Sequence, residues 1–227
     1  VSDEAVVPLA AACDYKRLSS DDGAPNTGGM GAYAPVPWFG RAEVEEAVGT
    51  IFEPIAWRMA RDGFPYRGVL YAGLMLTEEG AKVLEFNARF GDPEAQVLLP
   101  LLDGDLATAM LGVARGERGA MEGSLAFGSG AAVAVVVASH GYPEAPVVGL
   151  PLTGAEPSGP GDSGPLLCFH AGTVATRTGY EASGGRVVSM VGVGPDLVSA
   201  RRSAYGGVAG IGFEGSRYRA DIALREV

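Results

Sequence analysis

The chain has 227 residues, 47% of them apolar and 19% charged, and a formal net charge of −10. That is the balance of a folded protein with material for one large domain or two modest ones. The acidic surplus argues against general nucleic-acid binding, which relies on neutralising phosphates, and no run of about 18 apolar residues is present to span a membrane.

In chain order, an opening strand is expected at 4–12, followed by a polar, glycine-rich loop from 19 to 40. A helix is expected at 41–61, where Val44, Ala47, Val48, Ile51, Ile55 and Met59 recur at helical spacing and Pro54 predicts a kink. The stretches 67–77 and 81–90 are rich in strand formers. The Glu78-Glu79-Gly80 turn between them predicts an antiparallel hairpin. After Gly91-Asp92-Pro93 a helix should start with Asp92 as its N-cap, and another is expected at about 105–115. GERGAMEGS at 116–124 reads as a boundary, giving domains 1–118 and 119–227. Beyond it, strands are expected at 129–138, about 165–176 and 185–193, broken by turns such as EPSGPGDSGP at 156–165. The apolar Ala131 to Ala138 suits a buried strand. A helix at about 195–209 and a short strand or tail close the chain. The fold class is therefore α+β, one mixed unit followed by a mostly β one.

Three segments could carry chemistry. In LEFNARFGDPE (84–94), strand alternation puts Glu85, Asn87 and Arg89 on one face and Phe86, Ala88 and Phe90 on an apolar face that should pack into the core. Carboxylate and carboxamide oxygens are hard ligands of the kind Mg²⁺ prefers, and an arginine grips phosphate or carboxylate in a fork. From spacing alone the row reads first as the solvated face of an edge strand, with Glu85 paired to Arg89. DYKR supplies Asp14, Lys16 and Arg17, either a charged loop or a substrate clamp. APNTGGMGAY (24–33) follows, with Asn26, Thr27, Gly28, Gly29, Met30 and Gly31. It is either a flexible surface loop or a segment whose exposed amides cradle an anion.

GxGxxG, GxxxxGK[ST] and GxSxG do not occur, so dinucleotide, Walker-loop and serine-hydrolase readings have no support. His140 and His170, the only histidines, lack metal-ligand spacing and read as structural. Cys13 and Cys168 form neither a metal spacing nor a disulfide framework, which favours a reduced, cytoplasmic setting.

In this order and spacing, DYKR, PNTGGMGAY, GVLYAGLM and LEFNARFGDPE resemble the phosphoribosylamine–glycine ligase family of the ATP-grasp superfamily. GYP (141–143), FHAGT (169–173) and GGRVVSMVGVG (184–194) extend the likeness over nearly the whole chain. The resemblance implies the second lobe of an ATP-grasp domain, an antiparallel sheet with helices, followed by a small β-rich domain of the rudimentary single-hybrid type. It implies ATP as co-substrate, Mg²⁺ or Mn²⁺ held by Glu85 and Asn87, and Arg89 and Asp92 in catalytic roles. Asp14, Lys16, Arg17, the loop Asn26 to Gly31, and Gly91 would line the site for glycine and 5-phosphoribosylamine. It also implies that the family's N-terminal and ATP-binding lobes precede the region matched here, so that these 227 residues alone should be inactive. Another ATP-grasp carboxylate–amine ligase or carboxylase would share Glu85 and Asn87 without needing PNTGGMGAY. A non-catalytic structural or interaction fragment is the reading from a different class.

Overall fold

A computed structural model describes the chain except for residues 4, 22, 156–159 and 162–163. Among the described residues the strands are β1 (Cys13–Asp14), β2 (Gly31–Ala34), β3 (Tyr71–Thr77), β4 (Gly80–Asn87), β5 (Ala131–Ala138), β6 (Leu150–Leu152), β7 (Pro160–Gly161), β8 (Gly164–His170), β9 (Thr173–Thr176), β10 (Gly179–Ala182) and β11 (Arg186–Gly194). The helices are α1 (Arg41–Ala47), α2 (Glu53–Arg61), α3 (Glu94–Leu98), α4 (Leu106–Arg115), α5 (Arg118–Ser124) and α6 (Leu197–Gly210). They form two compact units, in keeping with an α+β fold. The first comprises Val1–Ala11, Pro37–Gly91 and Leu102–Gly128, the second Ala12–Val36, Asp92–Leu101 and Ser129–Val227.

The first unit is built from local signals. The expected long helix is present but divided: α1 and α2 are joined by a π-helical turn over Val48–Phe52, with Pro54 in the first turn of α2. Proline lacks the N–H and crowds the carbonyl four residues back, and the wider turn relieves that conflict. β3 and β4 pair antiparallel about the predicted turn, with a bulge at Leu74 that leaves Leu84 as the extra residue. α4 starts at Asp105, whose carboxylate accepts from the backbone N–H of Thr108, and ends at Gly116 in the left-handed region.

Three expectations fail in this unit. The strand over 4–12 does not form; Ser2 makes isolated bridges to Ala5 and Arg67, and the first strand begins at Cys13. Pro8, with no N–H to donate, sits in the middle of that stretch. Within the expected boundary, residues 118–124 form the helix α5, packed on α4. Phe86 is not in a core: it remains 42% exposed, edge-on to Phe52. A two-stranded ribbon is too narrow to bury its faces. Finally, β4 stops at Asn87, so the alternation that paired Arg89 with Glu85 and Asn87 ends two residues before it.

The second unit carries the core. Its six strands run in the order β1-β2-β5-β11-β8-β7, each pair antiparallel, and β6-β10-β9 form a separate three-stranded sheet. Every residue of AAVAVVVA in β5 is buried. Central position explains this: α6 packs on β11, β5 and β8, while α3 packs on β2 and β5. A strand covered on both faces reads as a continuous apolar run. The expected loop 19–40 contains a strand, β2, whose four residues are all buried. Glycine and alanine carry no strand signal of their own, and β2 forms because β1 and β5 flank it. The expected strand at 165–176 is two strands, β8 and β9, separated by a bend at Ala171-Gly172 and belonging to different sheets. Of the turn at 156–165, residues 156–159 and 162–163 lie outside the described residues.

Candidate active site

The second unit assembles a site around the TGGM turn. Lys16 and Thr27 are joined by two bonds to the lysine carbonyl, from the threonine backbone N–H at 2.7 Å and from its hydroxyl at 2.8 Å. The same hydroxyl accepts the Gly29 N–H at 3.0 Å. The Gly28 N–H donates to the Tyr142 hydroxyl at 3.0 Å, and the Met30 N–H to the Tyr15 carbonyl at 2.8 Å. These amides are therefore occupied by protein acceptors. The turn is a fastened element and not the open anion cradle that its glycines suggested, because acceptors from 15–27 and from Tyr142 reach it first.

The glycine at 29 is required on two counts. Its φ is +113°, and a Cβ there would lie 2.3 Å from Cδ of Pro93. Gly29→Ala is expected to cost about 1–3 kcal/mol, the range for inserting a carbon into a packed position, with further strain from φ. Urea unfolding of G29A beside wild type measures it.

Asp92 closes the turn from the other side. Its carboxylate does not cap α3, whose N-cap position is Pro93 with no side-chain bond. Instead Oδ2 accepts from Arg186 Nη2 at 2.7 Å, and Oδ1 accepts from Arg186 Nη1 at 3.2 Å and from Gln96 Nε2 at 3.0 Å. Arg186 Nη1 also donates to the carbonyls of Gly28, at 2.8 Å, and Asp92, at 3.1 Å. The guanidinium side chain is 22% exposed. Beside it, Gly185 makes room for Tyr142: a Cβ there would sit 2.2 Å from the ring. The GYP and GGR segments thus meet the TGGM turn, and neither Arg186 nor Tyr142 was among the residues that sequence reasoning selected. Their recurrence in the family-like motifs was the available signal.

Asp14 lies on β1 with its Oδ1 buried and without a hydrogen-bond partner. Burial, reinforced by the nearby charge of Glu94 and opposed by Lys16 and Arg186, pushes its carboxyl up to about 7. Glu94 is itself 5% exposed. Arg17 pairs across the turn as an isolated bridge to Asn26, and its carbonyl accepts from Arg219 Nη1 at 3.0 Å. Arg219 stands over the Tyr15 ring and donates to the Asp221 carboxylate through Nε and Nη2, so the C-terminal segment braces this edge.

The remaining predicted residues belong to the first unit. Glu85 and Asn87 stand opposite Gly73 and Tyr71 in unbroken register beyond the bulge, which leaves them on one face of β4. Glu85 is exposed and Asn87 half-buried. One carboxylate and one carboxamide oxygen, two residues apart, suit a hard divalent cation that takes its other ligands from phosphate and water. Among the described residues no three acids, histidines or cysteines gather into an all-protein metal cage. The donor set fits magnesium or manganese bound together with a nucleotide. Arg89 is exposed past the end of β4 and donates to the Phe90 carbonyl at 2.8 Å; Gly91 follows it.

The histidines make structural contacts. Nδ1 of His140 meets Arg217 Nη2 at 2.8 Å, while His170 bonds Thr173 Oγ1 and the Ala155 carbonyl, both at 2.9 Å. Neither Cys13 nor Cys168 is in a disulfide. No helix among the described residues is long and apolar enough to cross a membrane.

The hairpin with Glu85 and Asn87 on one face and the separate unit that fastens a glycine turn are parts of an ATP-grasp fold. Solved structures agree on the fold: a Hydrogenobacter thermophilus biotin carboxylase domain superposes with a TM-score of 0.59 over 84% of this chain and 40% of that one, at 15% identity. The family is narrower. The chain belongs to the phosphoribosylamine–glycine ligase family, matching the phosphoribosylglycinamide synthetase ATP-grasp (A) domain over residues 1–95 and its C domain over 132–225. The phosphoribosylamine–glycine ligase of Streptomyces coelicolor is 46% identical over 222 residues, covering 98% of this chain and 53% of that protein. That of Mycobacterium leprae is 44% identical, covering 99% and 51%. The crystal structure of the Thermotoga maritima ligase superposes with a TM-score of 0.83 at 36% identity, over 98% of this chain and 54% of that one. The chain spans about half the length of these relatives.

Proposed function

We propose that this chain supplies the metal-binding and substrate-binding half of an ATP-dependent carbon–nitrogen ligase. In the overall reaction, ATP phosphorylates the carboxylate of glycine, and the amine of 5-phosphoribosylamine displaces phosphate to give glycinamide ribonucleotide, ADP and phosphate. This is a step of purine biosynthesis, placed in the cytoplasm. The observation that carries the reading is Asp14: a buried carboxylate oxygen with no partner, beside the fastened TGGM turn, is an acceptor waiting for an N–H or O–H donor. An attacking amine is such a donor, and an unpaired buried acceptor costs about 1–3 kcal/mol unless a ligand satisfies it.

Glu85 and Asn87 hold the divalent cation, Mg²⁺ or Mn²⁺. Such an ion would supply positive charge to offset the negative charge that builds on the transferred phosphoryl group. Arg89 offers its exposed fork to the phosphoryl group or the glycine carboxylate. Lys16, Arg17, Asn26 to Gly31 and Gly91 line the substrate side, and Asp92 keeps the turn closed. The functional division follows 1–118 and 119–227, supported by family matches that end at 95 and resume at 132. The second of these is read as the single-hybrid type of β domain. The adenine pocket and phosphate loop fall to the part of the relatives outside the matched half, so a polypeptide of these 227 residues alone is expected not to turn over.

The test is ADP release by the complete protein that contains these residues. ADP formation should require glycine and 5-phosphoribosylamine together. Release driven by bicarbonate in place of glycine would overturn the reading in favour of a carboxylase. An absence of ADP release with any carboxylate or amine would leave a structural module.

A further inference from the structure

We propose that Arg186 is a positioning residue for ligation: its fork locks the TGGM turn to Asp92 and so holds the substrate loop in its working shape. The inference rests on the ligase reading above. Arg186 starts β11, far from the turn in sequence, yet its one guanidinium reaches Gly28 of the turn and two groups of Asp92. Nη1 takes the carbonyls of Gly28 and Asp92, and both terminal nitrogens take the Asp92 carboxylate. Only a planar fork can do this, since lysine offers a single point of attachment. The anchor itself is rigid, because β11 lies between β5 and β8 in the sheet. Tyr142, seated against Gly185 next door, takes the Gly28 N–H and so holds the same residue through its preceding peptide. The core strand, together with Tyr142, therefore sets the shape of the loop from a distance in sequence.

Arg186 has a second consequence through charge. The groups facing Asp14 are Glu94 from α3, Lys16 from its own segment and Arg186 from β11. Removing the arginine takes away one of the two positive charges that favour ionised Asp14. If ionised Asp14 receives the amine, the acid limb of kcat/KM must then move to higher pH.

The experiment uses the complete ligase carrying Arg186→Met and Arg186→Lys. Hydrogen exchange is read first: in R186M the amides of Gly28 to Met30 should exchange at least about ten-fold faster, with those of β5 unchanged. In steady state, R186M should raise KM for the amine at least about ten-fold, hold KM for ATP within about two-fold, and shift the acid limb upward. R186K keeps the charge and loses the fork, so its acid limb stays in place while KM for the amine still rises. A merely structural arginine would lower the active fraction, leaving both Michaelis constants and the acid limb where they were. That result, or unchanged exchange at the turn, overturns the proposal. Where R186M does not fold, R186K carries the same exchange readout. A wild-type protein that performs no ligation overturns the ligase reading and the kinetic role with it. The exchange comparison still decides whether Arg186 holds the turn.

Discussion

Glu85→Ala in the complete protein is expected to lower kcat/KM for ligation by about 10²–10³-fold, the usual effect of removing one group that offsets charge developing in a transition state. Its unfolding midpoint should stay close to that of wild type. The side chain is exposed on a two-stranded ribbon, so no core packing is lost. Asn87→Ala should act in the same direction, and the double variant should fall well short of the product of the two losses. Both side chains serve one cation, and groups that act as a unit are not additive. Raising the magnesium concentration should recover part of the activity of either single variant, because one ligand and the nucleotide phosphates remain. Full activity in E85A would remove the hairpin from the active site.

Asp14→Asn is expected to have the largest effect on stability, with a sign that depends on pH. Burial and Glu94 lift the Asp14 carboxyl in the folded protein from 3.8 to about 7. Between those values the folded state holds a proton that the unfolded state has released. Stability from this group is then fully present below about pH 4 and is lost as pH rises through 7, in accord with linkage. Asparagine does not titrate. The difference in unfolding free energy between D14N and wild type should therefore grow from pH 4 to pH 8, by up to about 4 kcal/mol at roughly 1.4 kcal/mol per pH unit of displacement. Denaturant titrations of both proteins at a series of pH values isolate the term, since every other carboxylate is common to both. The same substitution should depress ligation. A residue that costs stability at working pH and is needed for turnover marks a functional site, where local comfort is traded for chemistry. A pH-independent difference would mean that Asp14 finds a partner in the free protein.

The sequence by itself determined every feature whose cause lies within a few residues. The continuous apolar run of β5, the β3–β4 hairpin about Glu78-Glu79-Gly80, the Asp105 cap of α4 and the break ahead of Pro54 each follow from local pattern, capping or a missing N–H. The shared face of Glu85 and Asn87 belongs with them, since strand geometry alone places residues two apart on one side. Tertiary structure decided what those local pieces meet. The GAYA segment is a strand because β1 and β5 flank it, and Asp92 turns from the helix end it could have capped towards Arg186. The glycine turn gains its fasteners from positions 114 and 158 residues away, Tyr142 and Arg186. Asp14 has a buried oxygen without a partner, and Glu94 of α3 and Arg186 of β11 act on its charge, only in the folded sheet. No period or propensity encodes such meetings. A buried polar group is defined by what surrounds it, and those surroundings exist only when distant strands have taken their places in one sheet.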